Sequence, residues 1–481
     1  MTSLISSLCL LLLPILAIAS ISEHAESLPK FPSPTRPRVA IIGAGMAGLS
    51  TARRLNELNI GSVDIYEALD RIGGRINSVP YFDGYIQHGA QFINGDKNPL
   101  YEIANELGVV SDVLGDLEHV EGGRFFYGDC KVTNDDLDLF TDFTAPLDPK
   151  YRAIAHEDDV VSRRDAIYDV YQRDYAEFLQ THNISGHRRH VFDALSLTFR
   201  SYWEFEWASD WKDQSLRNLV DWDDKGAVGV SFTTNKIGYK AIIEKVAEGR
   251  GSARLHLNSP IGNIKWDDLR GVILTFENGT TVDTIYDYVI VTTSLGHLKK
   301  YHTSLFTPNV HRYRKRAIEK IGFGGSAKVF FRWANKFWND EDHSIVTLAV
   351  KGCNGKDEVD AFDSEITTLQ QLGWESNTMV AWIAGRGPRL FDEMEDEEIS
   401  YRITDLMRRL TNNATLEAPE LIVRQKLTKN KYLLGSYSYV SVAQTAIGAF
   451  LSGRREADRL AEDWSARKPA SLAGVGGYRL E

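Results

Sequence analysis

Uninterrupted apolar runs alternate along this chain with stretches in which apolar residues recur every three or four positions. The run "VAIIGAG" (39–45) is apolar throughout, as in a strand covered on both faces. It leads into 46–58, where Leu49, Ala52, Leu55 and Leu58 share one side of a helix. "GSVDIYEA" (61–68) reads as a second strand ending in an acid, so this segment is predicted to form a βαβ unit with right-handed crossover. From 100 to 220 the pattern turns helical, aromatic and charged, in "LYEIANELGVV", "RRDAIYDVYQRDYAEFLQTH" and "HRRHVFDALSLTFRSYW". Strand patterning returns at 254–294. There "LTFENGTTVD" predicts a hairpin turning at Asn278-Gly279, and "DYVIVTTS" another fully buried strand. "GSAKVFFRW" and "NTMVAWIAG" continue as strands, and "DEEISYRITDLMRRLTNN" as a helix. Nucleotide-type segments thus interleave with helical and mixed ones, which predicts two domains, each assembled from separate pieces of chain.

The 481 residues suffice for two or three domains, and 43% hydrophobic with 25% charged residues is ordinary for a globular protein. The net charge of −11 argues against nucleic acid as the main partner and suits a cationic substrate. "MTSLISSLCLLLLPILAIAS" reads as a secretory signal, with an apolar core from Leu8 to Ile18 and a small-residue cleavage site at Ala17-Ile18-Ala19. Its n-region lacks Lys and Arg, and an uncleaved anchor is the alternative. Residues 1–19 are therefore expected to be a signal peptide, the protein to be secreted, and the mature chain to carry no membrane span. Cys130 and Cys353 either pair or remain free. No Cys/His cluster has metal spacing, so no metal is expected. Asn183, Asn278 and Asn413 head glycosylation sequons, which matter for a secreted chain and make it a candidate glycoprotein.

Gly43, Gly45 and Gly48 sit where the first strand turns into the helix. That spacing serves a tight turn, backbone approach to a pyrophosphate and close packing of helix on sheet. The helix N-terminus, at Met46 and Ala47, offers N–H groups and a positive dipole to phosphate. Glu67 ends the second strand, where it would accept from ribose hydroxyls, and an acid there disfavours NADP. NAD and FAD both satisfy this unit. The extension "EALDRIGGR" separates them, because here the chain resembles the flavin-containing amine oxidases, and most of all their polyamine (spermine) oxidase branch. Arg71, Gly73, Gly74 and Arg75 match the family's Arg-x-Gly-Gly-Arg stretch round the diphosphate and flavin. A Gly pair permits close backbone approach, and Arg meets a pyrophosphate bidentately. "GAQFING" is similar to the segment beside the flavin and brings in Gly89, Ala90 and Gln91. "NSPIGNIKW" resembles the strand whose backbone meets adenine and places Ile261 there. The likeness continues through "VIVTTSLGHLKK", "IEKIGFGGSAKVFFRWANKFW", "MVAWIAG" and "GSYSY", from 38 to 455.

The resemblance implies an α/β protein, with a Rossmann-type FAD-binding domain (36–106, 222–304 and 435–465) interleaved with a mixed α+β substrate-binding domain (107–221 and 305–434). It implies oxidation of a polyamine or related amine. Hydride passes to noncovalent FAD, and dioxygen reoxidises the flavin with release of hydrogen peroxide. Lys328 matches the family lysine that holds a water at the flavin. Tyr437 matches the aromatic position flanking the flavin and the substrate nitrogen.

Three departures from the family pattern bear on activity. Asn94 stands where polyamine oxidases carry a His or Glu that contacts substrate nitrogens. The acid that normally precedes the segment is replaced by Gln87-His88, with His88 expected to be a packing residue. "LLGSYSYVSVAQ" runs straight into "TAIGAFLSGRREADRLAEDW" at Gln444-Thr445, where relatives place a further strand and a Gly-Glu turn that grip the flavin. Weakened FAD binding is the expectation. The other reading is a catalytically inactive secreted homologue that acts as a binding or interaction protein. An L-amino-acid oxidase is the nearest competitor among enzymes.

Overall fold

The first apolar run forms the strand Arg38–Ile42, which lies between two parallel neighbours. A computed structural model describes residues 36–114, 124–128, 132–157, 165–221, 230–339, 342, 344–348, 360–439 and 446–467. The leader 1–19, Cys130, Cys353 and the junction Gln444-Thr445 lie outside the described residues. The chain divides into two compact units. One holds 77–239 and 320–444; the other holds the segment ending at 76, 240–319 and the segment from 445.

In the second of these, four parallel strands run in the order Tyr288–Val291, Arg38–Ile42, Ser62–Tyr66, Arg254–His256. Among the described residues no further strand pairs with the outer edge of Tyr288–Val291. The helix Met46–Glu57 buries Leu49, Ala52 and Leu55 completely, while Leu58 falls at its C-cap. A second three-stranded sheet contains Ile261–Asp268 and Gly271–Phe276. Its hairpin closes where Phe276 N donates to the Thr280 carbonyl, with Gly279 at φ +86°.

The helix Ala446–Arg467 crosses the Met46–Glu57 helix. Ser50 Oγ donates to the Phe450 carbonyl at 2.6 Å, and Thr51 Oγ1 donates to that of Gly453. A Cβ on Gly453 would lie 2.2 Å from the Ala47 oxygen, so the two backbones approach as only glycine allows. Phe450 is buried, but Leu451 remains 46% exposed because it lies off that crossing face; the Ala446 side chain is outside the described set. Farther along, the helix reaches the edge strand, where Tyr288 OH donates to Asp463 at 2.6 Å.

The other unit is built on a six-stranded sheet with Ala327–Arg332 and Thr378–Ile383 paired antiparallel at its heart. Alternation along these strands separates two cores. Ala327, Val329, Phe331, Met379 and Ala381 face the helix Asp396–Thr411, which contributes Ile399, Ile403, Leu406 and Met407. Phe330, Val380 and Trp382 face the other way, towards Tyr81 and Ile86. The helices Ile167–Thr181 and Gly186–Trp207 form a separate aromatic core with Tyr171, Phe192 and Trp203.

The units cut the chain differently from the expected domain pieces. Residues 77–106, 230–239 and 435–439, expected with the nucleotide segments, group with the six-stranded unit; 305–319 group with the parallel sheet. Strand pairing is the reason, and it is non-local. Tyr85 N donates to the Lys236 carbonyl, Ile93 pairs with Phe232, Tyr437 pairs with Gly324, and Phe306 pairs with Ile264.

Candidate active site

Each unit carries one constellation of the residues singled out above. In the parallel-sheet unit, the chain leaves the first strand at Gly43, whose N–H donates to the Tyr66 carbonyl at 2.8 Å. A Cβ on Gly48 would fall 2.0 Å from the Gly43 oxygen, so the helix begins pressed against its own turn. Gly45 is different, because an added Cβ there would meet nothing closer than the Gly73 oxygen at 3.8 Å. The helix has no side-chain cap and no acid in its first turn. The N–H groups of Met46, Ala47 and Gly48 precede the first intrahelical bond, from Leu49 N to the Gly45 carbonyl. An uncapped helix N-terminus beside an open glycine is a place for an anion.

Glu67 follows directly after its strand and is 6% exposed. It accepts from Ala44 N at 2.6 Å and from Leu69 N at 2.9 Å. Burial raises its pKa, opposed by those backbone N–H groups and by Arg71. The chain at 256–259 runs beside it: Glu67 N donates to the His256 carbonyl, and Ser259 N to the Glu67 carbonyl. Ile261, buried, lies two residues farther on. The Gly73-Gly74 pair takes φ of +97° and +58°, and Gly73 bridges to Gly45. Arg71 braces the glycine loop from within: its guanidinium donates to the carbonyls of Ile72, Ile76 and Gly74. Arg75 is exposed to water, while the protein packed around it pushes its pKa below the usual guanidinium value.

In the six-stranded unit the lysine expectation meets a built site. Lys328 is 5% exposed, and its Nζ donates to the Gly89 carbonyl at 2.7 Å and to Gln91 Oε1 at 2.9 Å. Its cross-strand partner is Trp382, whose ring centroid lies 4.9 Å from Nζ. Burial pulls the Lys328 pKa down to about 7. No carboxylate pairs with it in these contacts, so this group gains or loses a proton near neutrality. Gly89, Ala90 and Gln91 come to the lysine as one stretch, with two of the three supplying its acceptors. His88, next in line, is buried with its ring 5.8 Å from Phe330, a packing position.

Tyr437 is half-buried, and its hydroxyl donates to the Phe205 carbonyl. Burial raises its pKa. Phe205 in turn stands edge-on to Trp382, with centroids 5.1 Å apart. A chain of contacts therefore runs from Tyr437 through Phe205 and Trp382 to Lys328. Asn94 stays local: its amide donates one N–H to Ser231 Oγ, and its second N–H and its side-chain oxygen make no other hydrogen bond among those of the described residues.

Trp382 and Phe205 are the residues that sequence reasoning missed. A tryptophan in an otherwise small and aliphatic strand, "MVAWIAG", was the available signal. Its pairing to Lys328 is a matter of register. Behind Phe205 lies a buried ionic cluster. Glu204 Oε1 accepts from Trp211 N at 3.2 Å, Arg200 lies 3.5 Å from Glu204 and 3.4 Å from Glu365, and Glu365 accepts from Gly387 N. Two carboxylates share one arginine there. Burial is the main reason the Glu204 pKa rises to about 7, with Arg200 opposing and Glu365 reinforcing it.

The chain is 24% identical over 503 positions to peroxisomal N(1)-acetyl-spermine/spermidine oxidase of Homo sapiens, covering 90% of this chain and 96% of that one. It is 24% identical over 424 positions to polyamine oxidase 1 of Zea mays, covering 84% and 80%. It is 23% identical to a lysine-specific histone demethylase 1B homolog of Caenorhabditis elegans, covering 88% of this chain but only 56% of that longer protein. A solved structure of a redesigned putrescine oxidase shares the fold, with a TM-score of 0.58 at 16% identity, over 89% of this chain and 99% of that one. The family model for flavin containing amine oxidoreductases matches residues 46–474. The chain therefore belongs to that family, as an oxidoreductase of amines with FAD as its cofactor.

Proposed function

We propose that this protein oxidises polyamines of the spermine or N-acetylpolyamine type, or closely related amines, outside the cell. The observation that carries the reading is the buried Lys328, held by the Gly89 carbonyl and Gln91 beneath the Trp382 ring. A desolvated lysine with a pKa of about 7 has no packing rationale, whereas such a group is what proton handling beside an amine requires. Relatives whose names specify acetyl-spermine, spermidine and polyamine oxidation support the substrate class.

The parallel-sheet unit fits the cofactor. Gly45 and the N–H groups of Met46, Ala47 and Gly48 would take the diphosphate, Glu67 the ribose, the backbone at Ile261 the adenine, and Arg75 with the Gly73-Gly74 loop the flavin side. With no cysteine at a linking position, the cofactor is held noncovalently. When bound, the flavin supplies the two-electron acceptor that dioxygen then reoxidises, with hydrogen peroxide as product. The protein's own part is positional. Lys328 holds or moves a proton at Nζ, anchored by two acceptors. Tyr437, its hydroxyl fixed by the Phe205 carbonyl, offers an aromatic face to a substrate nitrogen. Trp382 and Phe205 keep water from that wall.

Secretion rests on the leader-like first residues, and it agrees with the exposure of Asn183, Asn278 and Asn413. At Asn413 the side-chain oxygen accepts from both Thr415 N and Thr415 Oγ1, a turn that presents the sequon outward. The alignment with the human protein is longer than this entire chain, so segments of that protein have no counterpart here. We place one such loss at Gln444-Thr445, with weakened FAD retention as its consequence. The deciding experiment is an absorbance spectrum of purified protein with and without added FAD, coupled to peroxide release from spermine. Flavin bands and spermine-dependent peroxide support the reading. A folded protein that takes up FAD but releases no peroxide from any di- or polyamine would overturn it.

A further inference from the structure

The helix Arg312–Lys320 is strongly basic within a chain of net charge −11. Its only apolar anchor is Ile318, which is fully buried. At 100° per residue, Arg312, Arg316 and Lys320 line up on the side opposite Ile318, with Tyr313 beside them, and all four are exposed. The stripe runs about 12 Å, two turns and a little more. By the same arithmetic Lys315 lies beside Arg312, Arg314 falls nearer the Ile318 side, and Lys300 lies on the neighbouring helix. Lys299 Nζ donates to the Glu319 carbonyl at the end of the basic helix, which joins the two surfaces. Among the described residues, Glu319 is the one carboxylate that meets this helix, 3.9 Å from Lys315.

Tyr313 is 65% exposed, yet it is held in place. The Arg312 guanidinium sits over its ring at 4.9 Å and donates to its hydroxyl, while the His311 ring lies 5.1 Å away. An exposed aromatic fixed by two neighbours is a preformed platform, and ordering it on binding costs little.

We propose that this face docks an acidic polysaccharide, with carboxylate or sulfate groups pairing to Arg312, Arg316 and Lys320 and a sugar ring lying on Tyr313. The choice of polymer rests on the extracellular reading above. A lipid surface fits poorly, because Ile318 points inward, Ala317 is half-buried and no broad apolar face is left to insert. A nucleic acid duplex carries a charge every ~1.7 Å and is stiff. It would extend well past a 12 Å stripe on a chain whose net charge is −11. A flexible chain of lower charge density confines its contacts to the stripe. Guanidinium groups suit carboxylate and sulfate because two parallel N–H groups match two oxygens.

The test is retention of the purified full chain on immobilised heparin, which carries sulfates, and on polygalacturonate, which carries carboxylates alone. The wild type should be retained at about 0.15 M salt, where charges farther apart than ~8 Å are already screened. Retention on both polymers or on one supports the proposal and identifies the anionic group. The triple variant Arg312→Glu/Arg316→Glu/Lys320→Glu should bind about ten- to a hundredfold more weakly, at an unchanged thermal midpoint and unchanged peroxide release. Tyr313→Ala should lose proportionally more binding at high salt, where stacking outlasts charge pairing. Wild type that flows through both columns, or a triple variant retained like wild type, would overturn the proposal. Tighter binding to duplex DNA or to anionic vesicles than to either polysaccharide would do the same. N-terminal sequencing of the secreted protein tests location separately, so failure there and failure of the surface are distinguishable.

Discussion

Replacing Lys328 with methionine keeps the length and apolar stem of the side chain and removes its one titratable atom. In the wild type that atom is 5% exposed, donates at 2.7 and 2.9 Å to two acceptors, and titrates near 7 because burial disfavours its charge. Two consequences follow with opposite signs for stability. The variant leaves the Gly89 carbonyl and Gln91 without this donor, at about 1–3 kcal/mol for each buried polar group left unpaired. It also removes a proton-linked penalty. A lysine whose folded pKa lies below its unfolded value of ~10.4 is more protonated in the unfolded chain between those limits. Wild-type stability should therefore rise with pH from about 7 to 10, by about 1.4 kcal/mol per unit, and this rise should be absent in Lys328→Met. Activity provides the second readout. Loss of a positioned proton-handling group slows its step by roughly a hundred- to ten-thousandfold. Anaerobic mixing with spermine, followed by loss of flavin absorbance, should show that fall. FAD affinity should change by far less, and kcat and kcat/KM should drop together. The wild-type rate should inflect near pH 7, and the variant's should not. An unchanged reduction rate, or stability curves of the two proteins that run parallel from pH 7 to 10, would return Lys328 to the role of a structural strand residue.

Glu204→Gln should act in the opposite pH window. A carboxylate raised to about 7 binds its proton more tightly when folded, so wild-type stability should fall as pH rises from about 4.5 to 7, by about 1.4 kcal/mol per unit and roughly 3 kcal/mol in all. Thermal midpoints measured at pH 5 and pH 8 should differ less in the variant; equal differences would mean that Glu204 is ionised throughout. Gly48→Ala places a methyl group 2.0 Å from the Gly43 oxygen and should cost about 1–3 kcal/mol of stability together with retained flavin, read by thermal melting and absorbance. On the reading that the chain lacks its relatives' strand and turn at Gln444-Thr445, loss of two charge-assisted contacts of about 1.5–3 kcal/mol each would weaken FAD binding by about two to four powers of ten. Recombinant protein should then purify largely without flavin, and inserting a relative's intervening segment should restore it. Stoichiometric, tightly held FAD in the unaltered chain would refute that account.

Much of the parallel-sheet unit was legible in the sequence because its information is local. Apolar runs, helical spacing and glycines at a strand-to-helix turn are set within 37 residues of chain, 39–75. The observed elements Arg38–Ile42, Met46–Glu57 and Ser62–Tyr66 follow that reading. The hairpin at Asn278-Gly279 was legible for the same reason, since its turn chemistry is adjacent in sequence. Which atoms surround Lys328 was not legible. Strand alternation places Lys328 on one face with Ser326 and Phe330, but only the antiparallel register sets Trp382 against it, and only the return of 89–91 supplies its acceptors. Arg71 shows the same limit in reverse. Sequence gives a guanidinium beside a glycine pair, while the path of that loop folds it back onto its own carbonyls. The composition of each strand and turn was thus decided by the sequence alone. The pKa of the lysine, the cluster behind Phe205 and the basic stripe's isolation from carboxylates were decided by tertiary structure, because burial and charge pairing depend on segments distant along the chain.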